Sequence, residues 1–169
     1  MPTNPVEDAV PQLSGTSELS DASAPAKPLQ KLVLLIEDSE DAKNLVQHAI
    51  HHYGQGKYRL EWACSLSIGL EMLAKYKVDI VLLDLGLPEM RGAGTYAAVR
   101  VVAPDVPVVV VSGDTAEETQ VSVILGGVSD YLGKEQLSGG LLLEAIRSAL
   151  SEAQRRRHRN SSGVVTAKI

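Results

Sequence analysis

The stretch Ile80-Val81-Leu82-Leu83-Asp84-Leu85-Gly86-Leu87-Pro88 decides how the chain is read. Four branched apolar residues in a row, with no polar alternation, describe a short strand buried on both faces. An aspartate directly after such a run stands where the strand leaves the sheet. Pro88 and, further on, Gly92 mark a loop before the next helix.

Working outward, the same grammar repeats. Residues 32–36 form an apolar run of strand length that ends in Glu37-Asp38, and Leu45, Val46, Ala49 and Ile50 then recur at helical spacing. Residues 58–64 alternate as a strand does, and Leu66, Leu70, Leu73 and Ala74 mark a helical face. On the far side of the central stretch, residues 94–102 read as a helix stopping before Pro104. Residues 108–111 are a β-branched strand entered through Pro107. Residues 115–125 read as a helix closed by Gly126-Gly127, and a short strand follows at 129–132. The last helix carries Leu142, Ala145, Ile146, Ala149 and Leu150 on one stripe and runs out in Arg155, Arg156 and Arg157. Five βα units whose strands are buried on both faces predict a parallel sheet covered by helices on each side. Right-handed crossovers make it a doubly wound, three-layer α/β sandwich.

Bulk properties bound the rest. At 169 residues the chain has room for one domain plus tails, and with no Phe its core must be aliphatic. Residues 1–29 hold Pro2, Pro5, Pro11, Pro25 and Pro28 without apolar periodicity and are expected to be a disordered lead-in. The domain proper is placed at 30–154, and 155–169 is read as a flexible basic extension. A net charge of −5 argues against nucleic acid as the main partner. Neither a signal peptide nor a run long enough to span a membrane is visible, so the expected location is cytoplasmic. Cys64 is the lone cysteine and is expected to be a small core residue.

In open parallel sheets, ligands bind outside the carboxyl ends of the strands. There this sequence places Glu37 and Asp38 after the first strand, Asp84 after the third, Ser112-Gly113 after the fourth and Lys134 after the fifth. One such residue would mean little, but four strands delivering to one edge make a site. Clustered carboxylates repel unless a cation sits among them. Oxygen donors without His or Cys select a hard ion such as Mg²⁺. A carboxylate beside an ammonium and a hydroxyl, with that ion present, is suited to attack phosphorus.

The stretch Ile36-Glu37-Asp38, then Asp84-Leu85-Gly86-Leu87-Pro88 running to Gly92, resembles the response-regulator receiver family, a CheY-like phosphoacceptor family. So do Val111-Ser112-Gly113 and Asp130-Tyr131-Leu132-Gly133-Lys134, and the match covers about residues 31–152. The resemblance implies a flavodoxin-like (βα)5 fold and a two-component signalling role, with no enzymatic activity beyond the chain's own phosphorylation and dephosphorylation. It implies that Asp84 takes a phosphoryl group from a phosphohistidine of a sensor histidine kinase or phosphotransfer protein. Asp38 would bind Mg²⁺ directly, Glu37 through water or as an outer partner, and Gly86 through its carbonyl. Ser112 would bond the phosphoryl group, Lys134 would pair with Asp84 or a phosphoryl oxygen, and Tyr131 would be an aromatic switch. Readout would run through the fourth helix, fifth strand and fifth helix to a downstream protein or to a second copy on phosphorylation.

Two departures from the family pattern stand out. Glu135 follows Lys134 where many members have Pro; a cis bond without proline costs about 3–4 kcal/mol, so a trans bond is expected. Gly86 supplies no side chain two positions after Asp84, whereas Asp114 lies two positions after Ser112.

Plainer readings stand beside these. Asp38 could cap the helix that starts near Ser39. His48, His51 and His52 suit a solvated helix end better than a metal site. The cluster Arg155–Arg157, His158 and Arg159 complements a helix dipole, with Glu152 pairing to Arg156 at i,i+4. Trp62 is expected to lie too far from the carboxylates to report on them. Two other functions compete. A haloacid-dehalogenase-type phosphohydrolase needs a second acid two residues after its nucleophile, where Gly86 stands, and a cap domain for which the chain lacks room. A flavodoxin-like small-molecule binder needs a phosphate-cradling loop that this sequence lacks.

Overall fold

The computed structural model describes residues 29–113 and 117–162. The lead-in before Leu29, Asp114, the expected helix start at Thr115 and the chain beyond residue 162 lie outside the described residues. The elements run β1 Lys31–Ile36, α1 Glu40–Tyr53, β2 Tyr58–Ala63, α2 Leu66–Lys75 and β3 Ile80–Leu83. They continue with α3 Ala93–Val102, β4 Val108–Ser112, α4 Glu117–Leu125, β5 Asp130–Gly133, a 3₁₀ turn Lys134–Gln136 and α5 Gly139–Ser162. All five strands join one sheet in the order β2-β1-β3-β4-β5, and every pairing is parallel. The doubly wound α/β fold read from the sequence is therefore the fold observed.

Period-two alternation divides the apolar runs between two cores. Leu34, Ile36, Val81, Leu83, Val108 and Val110 face α2, α3 and α4, and meet Leu66, Leu73, Tyr96, Val99 and Val123 there. Val33, Leu35, Ile80, Leu82, Val109 and Val111 face α1 and α5, and meet Val46, Ile50, Leu142 and Ile146. A run with no polar member is what a strand covered on both sides requires. Gly69 lets α2 approach β1, because a Cβ there would come within 2.5 Å of Ile36 Cδ1.

Helix ends follow their side chains. The N-cap of α1 is Ser39, whose Oγ accepts from the Ala42 N–H at 3.3 Å, so Asp38 is not the cap. Ser65 caps α2 in the same way through the Ile68 N–H. Gly127, at φ +84°, turns the chain just after α4 in a conformation side chains resist.

Several expectations need correction. Cys64 is exposed, because it follows the last residue of β2, an edge strand, as the chain turns away from the sheet. Leu45 is half exposed and Ala74 is exposed, at the rims of their helical faces. Residues 155–162, read above as part of a flexible extension, continue α5 to Ser162. An ion pair of 2.6 Å between Arg156 and Glu152, at the anticipated i,i+4 spacing, spans the start of that continuation.

Candidate functional site

Strand register places the acids. Ile36 pairs with Leu83, so Glu37 and Asp84, the residues that follow the two strands, leave the sheet side by side. The Asp84 N–H donates to the Ile36 carbonyl at 3.0 Å, and the Glu37 N–H to the Ala63 carbonyl at 3.0 Å. Ser112 pairs with Gly133 at the end of β4–β5, which sets Lys134 one residue beyond the same edge. Glu37, Asp84 and Ser112 are buried, at 2%, 5% and 1% exposure, whereas Asp38 faces solvent.

Lys134 binds the two buried acids together. Its Nζ lies 2.7 Å from Glu37 Oε2 and 3.0 Å from Asp84 Oδ2. The other oxygens are held as well: Glu37 Oε1 accepts from the Ser39 N–H at 3.2 Å and Asp84 Oδ1 from the Gly86 N–H at 3.1 Å. Burial pushes the Glu37 carboxyl above its ordinary range and the neighbouring Asp84 charge adds to this, while Lys134 and the Ser39 N–H oppose it. Burial alone would lower the Lys134 ammonium, but its bonds to Glu37 and Asp84 outweigh that and hold it above its ordinary range.

Carboxylate oxygens of Glu37, Asp38 and Asp84 lie within 4.8 Å of one another. Three carboxylates against one ammonium leave a local charge of −2, which a divalent ion would balance. The donors are all oxygens, the set that suits a hard cation. A Cβ at Gly86 would stand 3.3 Å from Asp84 Oδ2, so the missing side chain keeps this approach open. The Lys134–Glu135 bond is trans, as expected, for no cis bond occurs among the described residues.

Ser112, Tyr131, Gly133, Lys134 and Gln120 line a pocket of about 320 Å³ beside the acids. Tyr131 is half-buried at the margin of the core shared with α4. The three histidines of α1 are exposed; His48 and His52 stack with ring centroids 5.8 Å apart and join no cluster of metal-ligating groups among the described residues.

One neighbour of the site escaped the sequence reading. The Trp62 indole N–H donates to the Glu37 carbonyl at 2.7 Å, so the lone tryptophan touches the backbone of the acid cluster. The expectation that it lies too far away is overturned. Its position follows from register, since Leu35 of β1 pairs with Trp62 on β2.

Comparison with known proteins agrees with this geometry. The family model described as the response regulator receiver domain matches residues 33–147, more than half of the chain. The transcriptional regulatory protein YxdJ of Bacillus subtilis is 31% identical over 121 residues, covering 72% of this chain and 51% of its own length. The cell cycle transcriptional regulator CtrA of Caulobacter vibrioides is 30% identical over 102 residues, 60% of this chain and 43% of its own length. This chain thus spans about half the length of such relatives. Among solved structures, a CheY-like response regulator receiver domain protein from Methanospirillum hungatei superposes with a TM-score of 0.68 at 23% identity. That alignment covers 76% of this chain and 99% of the other, a likeness of fold. The chain belongs to the response regulator receiver domain family. Neither the phosphohydrolase nor the flavodoxin-like binder is favoured.

Proposed function

We propose that Asp84 is the phosphoacceptor, and that it takes its phosphoryl group from a phosphohistidine on a sensor histidine kinase or phosphotransfer protein. A carboxylate oxygen of Asp84 attacks phosphorus, the P–N bond breaks, and the imidazole departs. The observation that carries this reading is the 3.0 Å bond from Lys134 Nζ to Asp84 Oδ2, which joins residues 50 apart in sequence at one sheet edge. Family membership supports the same chemistry.

Asp38, Asp84 and the Gly86 carbonyl would hold Mg²⁺, with Glu37 engaged through water or as an outer partner. Bound there, the ion neutralises charge building on the phosphoryl oxygens. Ser112 donates its hydroxyl to one of those oxygens and Lys134 offers its ammonium to another. The phosphoryl group arrives from the donor histidine and rests on Asp84, and the chain catalyses only its own phosphorylation and dephosphorylation.

Readout then passes through α4, β5 and α5. Drawing Ser112 toward a modified Asp84 leaves room that Tyr131 fills, and the pocket between these two side chains supports such a move. Val121, Ile124 and Leu125 of α4 are apolar yet 48%, 57% and 82% exposed, a surface ready for a downstream protein or a second copy. No described helix is long and apolar enough to cross a membrane, and a cytoplasmic site of action is the reading we adopt.

Incubation with Mg²⁺ and acetyl phosphate tests the central step. Wild type is expected to gain one phosphoryl group mapped to Asp84, and Asp84→Asn none. Modification at another residue, or equal modification of Asp84→Asn, contradicts the assignment.

A further inference from the structure

The opposite edge of the sheet carries a feature that phosphoacceptance does not use. A groove of about 490 Å³ lies between the starts of β1 and β2 and residues 147–157 of α5, with Lys31, Tyr58, Leu150 and Arg157 among its walls. On α5 the residues Arg147, Leu150, Ser151, Gln154 and Arg157 recur at helical spacing, so one face of the helix looks into it.

Its charge is unbalanced. Among the described residues that line it, Asp79 is the one carboxylate, and it is engaged by Lys31 at 3.0 Å and by the Leu32 N–H at 2.9 Å. Arg147 donates to the Leu143 carbonyl and Arg157 to the Asp105 carbonyl, and neither meets a carboxylate among the described residues. Two guanidiniums are thus left facing an open groove, in a chain whose net charge is −5. Between them Leu150 and Tyr58 offer apolar surface.

The chain itself supplies a matching occupant. Lys31 both opens β1 and lines the groove, so residues 1–28 join the domain at its mouth. Those residues contain Glu7, Asp8, Glu18 and Asp21 against Lys27, a net of −3. Ser17-Glu18-Leu19-Ser20-Asp21 brackets one apolar residue with two acids. We propose that this segment docks in the groove, Glu18 and Asp21 pairing with Arg147 and Arg157 while Leu19 covers Leu150 and Tyr58.

The dimensions allow it. Arg147 and Arg157 are separated by about 15 Å of helix rise. Glu18 and Asp21 stand about 10 Å apart in extended chain, and the long arginine side chains bridge the difference. The ten residues from Asp21 to Lys31 reach at most about 33–36 Å, and Lys31 itself lines the groove. Exposed ion pairs are individually weak. The short tether offsets this by presenting the acids at an effective concentration on the order of millimolar.

Backbone amide NMR of the full chain, without Mg²⁺ or phosphodonor, tests this independently of the phosphoacceptor reading. E18Q/D21N is expected to shift the amides of Lys31, Ser151, Gln154 and Arg157. R147Q/R157Q is expected to shift those of residues 17–21, and the charge swap E18R/D21R with R147E/R157E to restore both sets. Shifts confined to the neighbours of each substitution overturn the proposal. Shifts that grow with protein concentration put the segment on a second copy and overturn its intramolecular form. Because E18Q/D21N leaves the described domain untouched, a folding defect in the arginine variants cannot mask the result.

Discussion

The centre of the sheet and its β5 edge are built to different standards. On one side, residues 33–36 of β1 and all of β3 are at most 1% exposed, and the acids leave directly from their ends. On the other, β5 buries Leu132 but leaves Asp130, Tyr131 and Gly133 partly open, and Val123 is the one buried residue of α4. Closely packed interiors hold side chains within narrow limits, whereas sparsely buried elements open at lower free energy. The acids proposed to meet a metal and a phosphoryl group thus stand on firm ground. Of the segments assigned to readout, α4 and β5 are the sparsely buried ones, and α5 carries a buried stripe.

Substitutions can break or sharpen this contrast. Asp84→Asn should have the largest effect, complete loss of phosphoryl acceptance with the fold retained, scored by intact mass and circular dichroism. On the firm side, Leu82→Ala should cost roughly 2–5 kcal/mol in urea unfolding, the range for truncating a fully buried leucine. Ile124→Ala on α4 should stay within about 0.5 kcal/mol in the same assay. Equal costs at the two positions would erase the distinction. Lys134→Ala removes charge-assisted bonds worth about 1.5–3 kcal/mol. It should still permit modification of Asp84 while reducing the response of α4 and β5, visible in hydrogen exchange. Asp38→Ala should weaken Mg²⁺ binding by roughly tenfold or more, given that even outer partners of a metal are worth 10–100-fold. The Trp62 contact with Glu37 makes indole fluorescence a suitable probe of that titration. Unchanged affinity would remove Asp38 from the metal shell.

Much of this was legible before the structure. Runs such as 32–36 and 80–83 carry no polar residue and are too short for a buried helix, so strand identity and the two-sided cover were readable together. The convergence of Glu37, Asp38, Asp84, Ser112 and Lys134 was readable because a parallel sheet delivers every strand end to one edge. Register-dependent facts were not. Trp62 reaches the Glu37 carbonyl because β2 lies beside β1 in a particular alignment, which no local pattern encodes. Cys64 was misread because small apolar residues are usually interior, yet it sits one residue past an edge strand. The direct Lys134–Glu37 bond is likewise a product of three-dimensional closeness; the family resemblance offered Asp84 or a phosphoryl oxygen, and not Glu37, as the partner of Lys134. The continuation of α5 through the arginines was hidden because the apolar stripe stops at Leu150, while helix-forming residues and a Glu152–Arg156 pair carry the helix onward.

Amide hydrogen exchange with and without beryllofluoride and Mg²⁺, as a stand-in for the acyl phosphate, tests the division of labour most directly. Altered protection is expected at Ser112 and across residues 117–150, with strands β1 and β3 unchanged. Changes confined to the surroundings of Asp38 and Asp84 would contradict this, for the site would then bind its ligand while the looser β5 edge and α4 stayed silent.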